Sequence, residues 1–449
     1  MNSGFAWFML LIIFIASMCG PMTQFKVAAV EHTLLEVFNM DLGTYGLLMT
    51  FFAILGLVLA LPSLFLVRKW GLKATILLAI ACLGIGNILG VFVPHNATGL
   101  VLLLITRCIE GIGMALVSVA GPSAVGVWFT PEKRGFPLGC WAIWAPVGML
   151  ISFIAGPRLA AADSNFLGGD WMALWWLSFI ICVIAFILTM VCFKLPEGVN
   201  EDDVNITASV KDCFKVLKSR NIWLLGIAFF CFIAIGLGVI TSHYGQFILL
   251  HHYPVWGDGV LLANALPGPP NDALVGMYMP TVMNWILLFI AFTLVIQPTI
   301  GFLSDRVGVR KPFLIASFIL LVVGMVFAFM TGNIIWVALA IVLTGLGGAV
   351  EGGAVRPMAP LLMENSALGI TMGMVVLAFF HNLGMVVGPP IFGALVENFG
   401  GALDPGAWQM ANYVFCLPVL AVGLILSFVI RERSTKALRE EIAEKQLEE

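Results

Sequence analysis

Charge is scarce in this 449-residue chain: Asp, Glu, Lys and Arg make up 10% of it, against 61% apolar residues. Soluble domains are about half apolar and about a quarter charged, so composition excludes an ordinary soluble fold and points to an integral membrane protein. Cysteine offers no framework. None of the nine cysteines falls in an expected outer connection and no pair has metal-ligand spacing, which argues against a disulfide scaffold or a metal site. No nucleotide-binding motif is present, so ATP is not the expected energy source. No nucleophile, base and metal constellation stands out either, so the chain is not expected to be an enzyme or to carry a cofactor. The net charge of −3 is spread over loops and tail and suggests no nucleic-acid surface. The first apolar run lacks a preceding basic residue and reads as a helix rather than a leader.

Twelve apolar runs remain, each about 20 residues or longer, the length that crosses a bilayer as a helix. Basic residues sort cleanly around them. Eighteen lie in alternate connections or the tail: Arg68, Lys69, Lys73; Lys133, Arg134; Lys194, Lys211, Lys215, Lys218, Arg220; Arg306, Arg310, Lys311; and Arg431, Arg433, Lys436, Arg439, Lys445. The intervening connections hold none. Lysine and arginine are retained on the cytosolic side during insertion, which predicts a multi-pass protein of the plasma (inner) membrane with both termini cytosolic. Landmark glycines repeat at nearly constant offset: Gly71 with Gly308, Gly135 with Gly369, and Gly156-Pro157 with Gly388-Pro389, separated by 237, 234 and 232 positions. The expected fold is therefore all-α, twelve transmembrane helices in two pseudo-symmetric six-helix bundles. Residues 1–193 form the first bundle, 194–220 a cytosolic linker, 221–430 the second bundle and 431–449 a cytosolic tail. Parallel repeats of this kind belong to transporters that carry a solute site near the midplane. The outer connection from Tyr244 to Met277 is long and apolar, and reads either as a lid or as a membrane-surface loop.

Gly301 to Lys311 reads G-F-L-S-D-R-V-G-V-R-K, which closely resembles the G-x-L-x-D-R-x-G-x-R-K signature of the major facilitator superfamily. The resemblance implies a conformational latch at a cytosolic gate made by Gly301, Asp305, Arg306, Gly308, Arg310 and Lys311. Its counterpart from Leu61 to Lys73 departs from the pattern, with Leu64 at the first glycine and Arg68 at the aspartate. Arg107-x-x-Glu110-Gly111-x-Gly113 resembles a second family signature, whose arginine is tied to proton coupling or helix packing. Gly148 and Gly156-Pro157, repeated as Gly384, Gly388-Pro389, resemble its glycine-proline signature. Within the superfamily, Gly139 to Gly148 (G-C-W-A-I-W-A-P-V-G) and the basic residue late in the first run resemble the cyanate-permease and anion-carrier branch, which implies a small anion as substrate.

Ionisable side chains inside a bilayer cost a few kcal/mol each and usually face a cavity or a partner. Lys26, Arg107, Arg158 and Arg356 are the bases within the runs, and Glu110 and Glu351 the acids singled out there. Lys26 and Arg356 are the expected substrate-facing cations; both lie late in their spans, so snorkelling to an interface is the alternative for each. Arg107 and Glu110, three residues apart, either couple protons or neutralise each other. Glu351 is a candidate proton carrier, its alternative being a salt bridge across helices. Arg158 has the same snorkelling alternative as Lys26 and Arg356 and is the least expected of the three to face a substrate. Further candidates for the substrate site are Trp141 and Trp144, His381 and Asn382, and Asn284, each with packing as its alternative. Trp171, Trp175 and Trp176 open a span and read as an interfacial aromatic belt. The resulting expectation is a monomeric secondary transporter of a small organic or inorganic anion, carboxylate or cyanate-like, working by alternating access with proton coupling or exchange. Its partners are that substrate and the lipid bilayer. Efflux of hydrophobic or cationic compounds is the alternative, and a non-transporting membrane receptor the second.

Overall fold

The computed structural model describes residues 3–60, 62–129, 135–160, 170–196, 219–256, 270–362 and 367–432. Among the described residues, twelve helices are long and apolar enough to cross a membrane. They are α1 (Gly4–Ala29), α2 (Leu42–Leu59), α3 (Lys69–Val91), α4 (Ala97–Trp128), α5 (Cys140–Ala160) and α6 (Met172–Cys192), followed by α7 (Arg220–His252), α8 (Ala273–Ser304), α9 (Lys311–Ala328), α10 (Ile334–Val355), α11 (Met372–Phe399) and α12 (Pro405–Val429). The expected linker largely, and the tail beyond residue 432, lie outside the described residues.

The two sets of six pack by one plan. In the first, α3 lies on α4 and α6, α1 on α5 and α6, and α2 on α4; in the second, α9 lies on α10 and α12, α7 on α11 and α12, and α8 on α10. Adding six to each helix number converts one scheme into the other. Local chemistry repeats as well. Gly71, at a kink near the start of α3, and Gly308, just before α9, both take positive φ, 79° and 75°, a backbone region open to glycine because it has no Cβ. Lys73 donates to the Phe193 carbonyl beyond the end of α6, and Lys311 donates to the Phe428 carbonyl near the end of α12. Each lysine thus meets the negative end of a helix dipole. Rows of exposed apolar side chains, such as Ile180, Val183, Ile184 and Ile187 on α6 and Val422, Ile425 and Val429 on α12, form the lipid-facing surface.

Helix α7 extends through His252, so Tyr244 to His252 is helical rather than part of a loop, and residues 257–269 of the expected outer connection lie outside the described residues. Phe247, Leu249 and Leu250 are buried, and that burial stabilises the additional turns. Within α7, Ile233–Val239 is a π-helical turn. It lies where Gly384 and Gly388 of α11 approach; a Cβ on Gly388 would sit 2.2 Å from the Ala234 carbonyl oxygen. A short helix, Glu31–Val37, follows α1 and was not apparent in the apolar pattern.

The halves meet along two pairs of helices, α2 against α11 and α5 against α8, with α1 and the short helix also touching α7. The α2–α11 contact closes the face that carries the short helix. Gly43 lies against Ala394 and Gly46 against Pro390, and further along α2, Gly56 lies under the Asn382 side chain. The opposite face carries the described basic residues of the connections, including Lys69, Lys73, Lys194, Arg306, Arg310, Lys311 and Arg431.

Candidate functional site

Two buried bases of the first half, Lys26 and Arg107, converge on Glu110. Lys26 Nζ on α1 donates to Glu110 Oε1 at 2.6 Å and to Asn87 Oδ1 on α3 at 2.5 Å, and lies 4.2 Å from the ring centre of Trp175 on α6. Arg107 donates to the other oxygen, Glu110 Oε2, at 2.5 Å. Its remaining contacts are the carbonyls of Thr23, Gln24 and Leu48, and its guanidinium stacks 4.4 Å from the Phe52 ring centre. The cluster therefore ties α1, α2, α3, α4 and α6 together. Lys26, Arg107 and Glu110 are each 0% exposed.

Small residues make room for it. A Cβ on Gly86 would lie 2.3 Å from Glu110 Cγ, and one on Gly90 would lie 2.6 Å from the Trp175 ring. Gly86-Asn87-x-x-Gly90 is thus one turn of α3 shaped around Glu110 and Trp175. Asn87 also donates to Thr23 Oγ1 and to the Leu83 carbonyl, which fixes its amide with the oxygen toward Lys26. Formally, two cations face one carboxylate in a low-dielectric interior, where each charge needs its partners.

In this conformation Lys26 is enclosed by protein groups rather than open to a solute. Arg107 and Glu110 are paired, as their spacing allows. Trp141 and Trp144 stack on each other, ring centres 5.2 Å apart, and wedge between α1, α4 and α5; Trp141 Nε1 donates to Ser17 Oγ. Trp171 and Trp175 are fully buried, 4.7 Å apart and edge to face, so they form part of the bundle interior and not an interfacial belt. Arg158 is exposed at the end of α5 and donates to the Ile154 carbonyl, consistent with snorkelling.

In the second half, Glu351 is buried on α10, and Arg356 lies in the continuation of the same helix, its side chain outside the described residues. His381 lies tilted against Phe229, and Asn382 donates to the Ala378 carbonyl while its side chain covers Gly56 of α2. Asn284 is exposed on α8. These residues are not brought together with Lys26 by any contact among the described residues. In the turn from Gly301 to Lys311, Gly308 takes the left-handed conformation and Arg306 stacks over Phe302 at 4.3 Å; the Asp305 side chain lies outside the described residues. Glu432 accepts from the backbone N–H groups of Arg310 and Lys311, seating a carboxylate at the positive end of α9.

A second polar cluster, unmarked by the sequence reading, bridges the halves. Glu31 on the short helix faces His243 on α7, Nδ1 to Oε1 3.0 Å, and His243 Nε2 lies 2.9 Å from the Pro389 carbonyl of α11. Gln246 Nε2 lies 3.1 Å from His32 Nδ1, and Glu397 accepts from the Leu42 N–H at 3.2 Å. Pro390 lacks an N–H, which frees the Val386 carbonyl one turn earlier; Thr50 of α2 donates to it at 2.8 Å. The signal that pointed to Lys26 applies here too: a buried acid and a histidine beside apolar spans. They were passed over because Glu31 lies just beyond α1 and His243 just before the expected loop.

Comparison with known proteins agrees with this architecture. The Major Facilitator Superfamily pattern matches residues 6–283 and 273–448. The hexuronate transporter of Bacillus subtilis (strain 168) is 25% identical over 350 residues, 73% of each chain. Protein spinster homolog 1 of Rattus norvegicus is 26% identical over 171 residues, 38% of this chain, and the match spans about a third (31%) of that relative's length. Among solved structures, a bacterial homolog of the human lysosomal transporter Spinster, in an inward-facing and occupied conformation, superposes with a TM-score of 0.69 at 16% identity, covering 96% of this chain and 97% of the other. The nucleoside transporter NupG gives 0.67 at 14% identity, covering 96% and 98%. With the signature residues, the duplicated packing plan and these matches together, the chain belongs to the major facilitator superfamily and is a multi-pass membrane protein.

Proposed function

We propose that this transporter carries a small organic anion, a sugar-acid-like carboxylate, and that the Lys26–Arg107–Glu110 cluster is where that charge is sensed. The observation that carries this reading is the formal imbalance of the cluster: two cations to one carboxylate, all fully buried. An anion reaching the interface between the halves would compensate that surplus across a low-dielectric medium, where Coulomb forces are least screened. The hexuronate transporter among the relatives supports a carboxylate cargo, and the narrower cyanate-like anion is a variant of the same chemistry. The basic face is assigned to the cytosol of a plasma membrane by the retention of lysine and arginine, with both termini on that side. On that assignment the α2–α11 contact closes the outer face, and the conformation is the inward-directed one of an alternating-access cycle. Gly301 to Lys311 then latches the cytosolic side in the opposite state, and Glu351 carries a coupled proton.

The test is uptake of radiolabelled glucuronate into proteoliposomes at imposed pH gradients. Wild-type protein is expected to accumulate it, with Lys26→Gln and Arg356→Gln folding but losing uptake, and Glu351→Gln retaining exchange while losing response to the proton gradient. Normal kinetics in all three variants would remove the assigned site. Extrusion of hydrophobic cations instead of glucuronate uptake would replace an importer of anions by an exporter.

A further inference from the structure

We propose that Glu31 and His243 form a proton-binding site at the closed face, so that closing this face takes up a proton and opening it releases one. The inference rests on the alternating-access reading, because it requires that this face opens.

The argument is one of hydrogen-bond valence. The Pro389 carbonyl can only accept, so the 2.9 Å contact requires a hydrogen on His243 Nε2. The contact at 3.0 Å between Nδ1 and Glu31 Oε1 then needs one more proton. If the proton sits on Oε1, a neutral carboxyl donates to Nδ1; if on Nδ1, an imidazolium donates to a carboxylate. With neither, a nitrogen lone pair points at a carboxylate oxygen in a buried site, and the bond is lost. Glu31 is 1% exposed and His243 0%, so water cannot take the missing role. The rings of Tyr45 from α2 and Phe392 from α11 flank the imidazole at 5.6 and 5.8 Å.

This pair joins three elements from both halves: the short helix after α1, α7, and α11 beside its two prolines. Opening the face pulls Glu31 from His243 and hydrates both. In alkaline solution the extra proton then leaves the hydrated pair for the solution on that side. Reclosure takes one proton back from the same side. The site is separate from the Glu110 cluster and adds a proton step to the conformational change itself.

Burial pushes the Glu31 carboxyl up from its ordinary value of 4.5, against the opposing pull of the His243 hydrogen bond. A group raised in the closed state stabilises closure fully below its open-state value and loses that contribution as pH rises through its closed-state value. Closure therefore weakens toward alkaline pH. The other titratable groups around the pair are His32 and Glu36 on the short helix, Tyr45 on α2, whose ring lies against His243, and Glu397 at the end of α11. His32 Nδ1 lies against Gln246 Nε2, a further contact between the halves. Glu36 and Glu397 contact His32 and the Leu42 N–H, and neither touches the pair.

The experiment places spin labels on the full chain at Phe92→Cys and Ile335→Cys, two exposed positions on this face in different halves, after replacement of the native cysteines. Distances are measured by pulsed electron paramagnetic resonance from about pH 5 to about pH 8.5. The expected wild-type result is a short distance at acid pH and a longer population that grows with pH, by up to about tenfold per unit. Glu31→Gln is the decisive variant: its carboxamide donates to Nδ1 without a titratable proton, so the face should stay closed at every pH. Glu31→Ala should favour the long distance throughout. A wild-type distance unmoved by pH, or a Glu31→Gln protein titrating like wild type, overturns the proposal. No substrate enters the measurement, so a pH-inert face in a protein that still accumulates glucuronate sinks the proton site alone. A pH-responsive face without glucuronate flux sinks the anion reading alone.

Discussion

At the scale of single residues, the Glu110 cluster makes an ordered prediction. Removing the shared carboxylate leaves two buried cations facing each other, whereas removing Lys26 leaves a matched Arg107–Glu110 pair. Glu110→Gln is therefore expected to cost about 3–5 kcal/mol, the usual penalty for stranding a buried charge. Lys26→Met should cost on the order of 1–3 kcal/mol, mainly the unsatisfied Asn87 oxygen. Thermal unfolding of purified protein checks the order, and equal losses would mean that the cluster is not organised around Glu110. The three charges were legible in the sequence because an ion within an apolar span announces itself. Asn87 was not, although Gly86 and Gly90 beside it are the trace of a crowded neighbour. Trp175 was misread for a related reason: a tryptophan at a span end fits an interfacial belt equally well until a cation is found 4.2 Å from its ring.

At the scale of helices, glycines divide into those that build a half and those that let the halves meet. Gly388 belongs to the first kind, since its Cβ would strike the Ala234 carbonyl oxygen within the same half. Gly46 belongs to the second: its Cβ would lie 2.4 Å from Pro390 Cα, across the boundary. Gly388→Ala is expected to destabilise the protein by about 1–3 kcal/mol through overpacking. Gly46→Ala should leave the unfolding midpoint of each half near wild type while depopulating the closed face, read as a longer distance between labels at positions 92 and 335. A Gly46→Ala protein that unfolds early but closes normally would place that glycine in the wrong group. The glycine-proline repeat made the α5 and α11 landmarks readable, because proline marks a bend and glycine a close approach. Nothing local separates Gly46 from Gly43 or Gly56, since their role depends on a helix more than 300 positions away. The extent of α7 was hidden likewise, for its last turns are held by burial against the second half rather than by an unbroken apolar run.

At the scale of the molecule, the duplicated halves and their shared packing plan were written in the spacing of glycines and in the distribution of lysine and arginine, whereas the conformation was not. Sequence repeats describe what each half is, and both ends of an alternating cycle share that description. The choice between faces lies in contacts across the boundary: Glu31 with His243, Gln246 with His32, Thr50 with the Val386 carbonyl, and Leu42 with Glu397. All lie on α2, α7, α11 or the short helix, and those with residues near the ends of these helices close one face. If the halves separate there during transport, a covalent bridge at that seam must stop the cycle. A Cβ on Gly43 would lie 3.2 Å from the Ala394 Cβ, slightly tighter than the usual 3.5–4.5 Å of a disulfide and within a small helix shift of it. Gly43→Cys with Ala394→Cys, in a background without native cysteines, is therefore expected to cross-link on mild oxidation and lose uptake. Reductant should restore uptake, and each single substitution should retain it. Full transport by the oxidised, cross-linked protein would show that this face stays shut throughout, and that solute passes by some route other than the parting of α2 from α11.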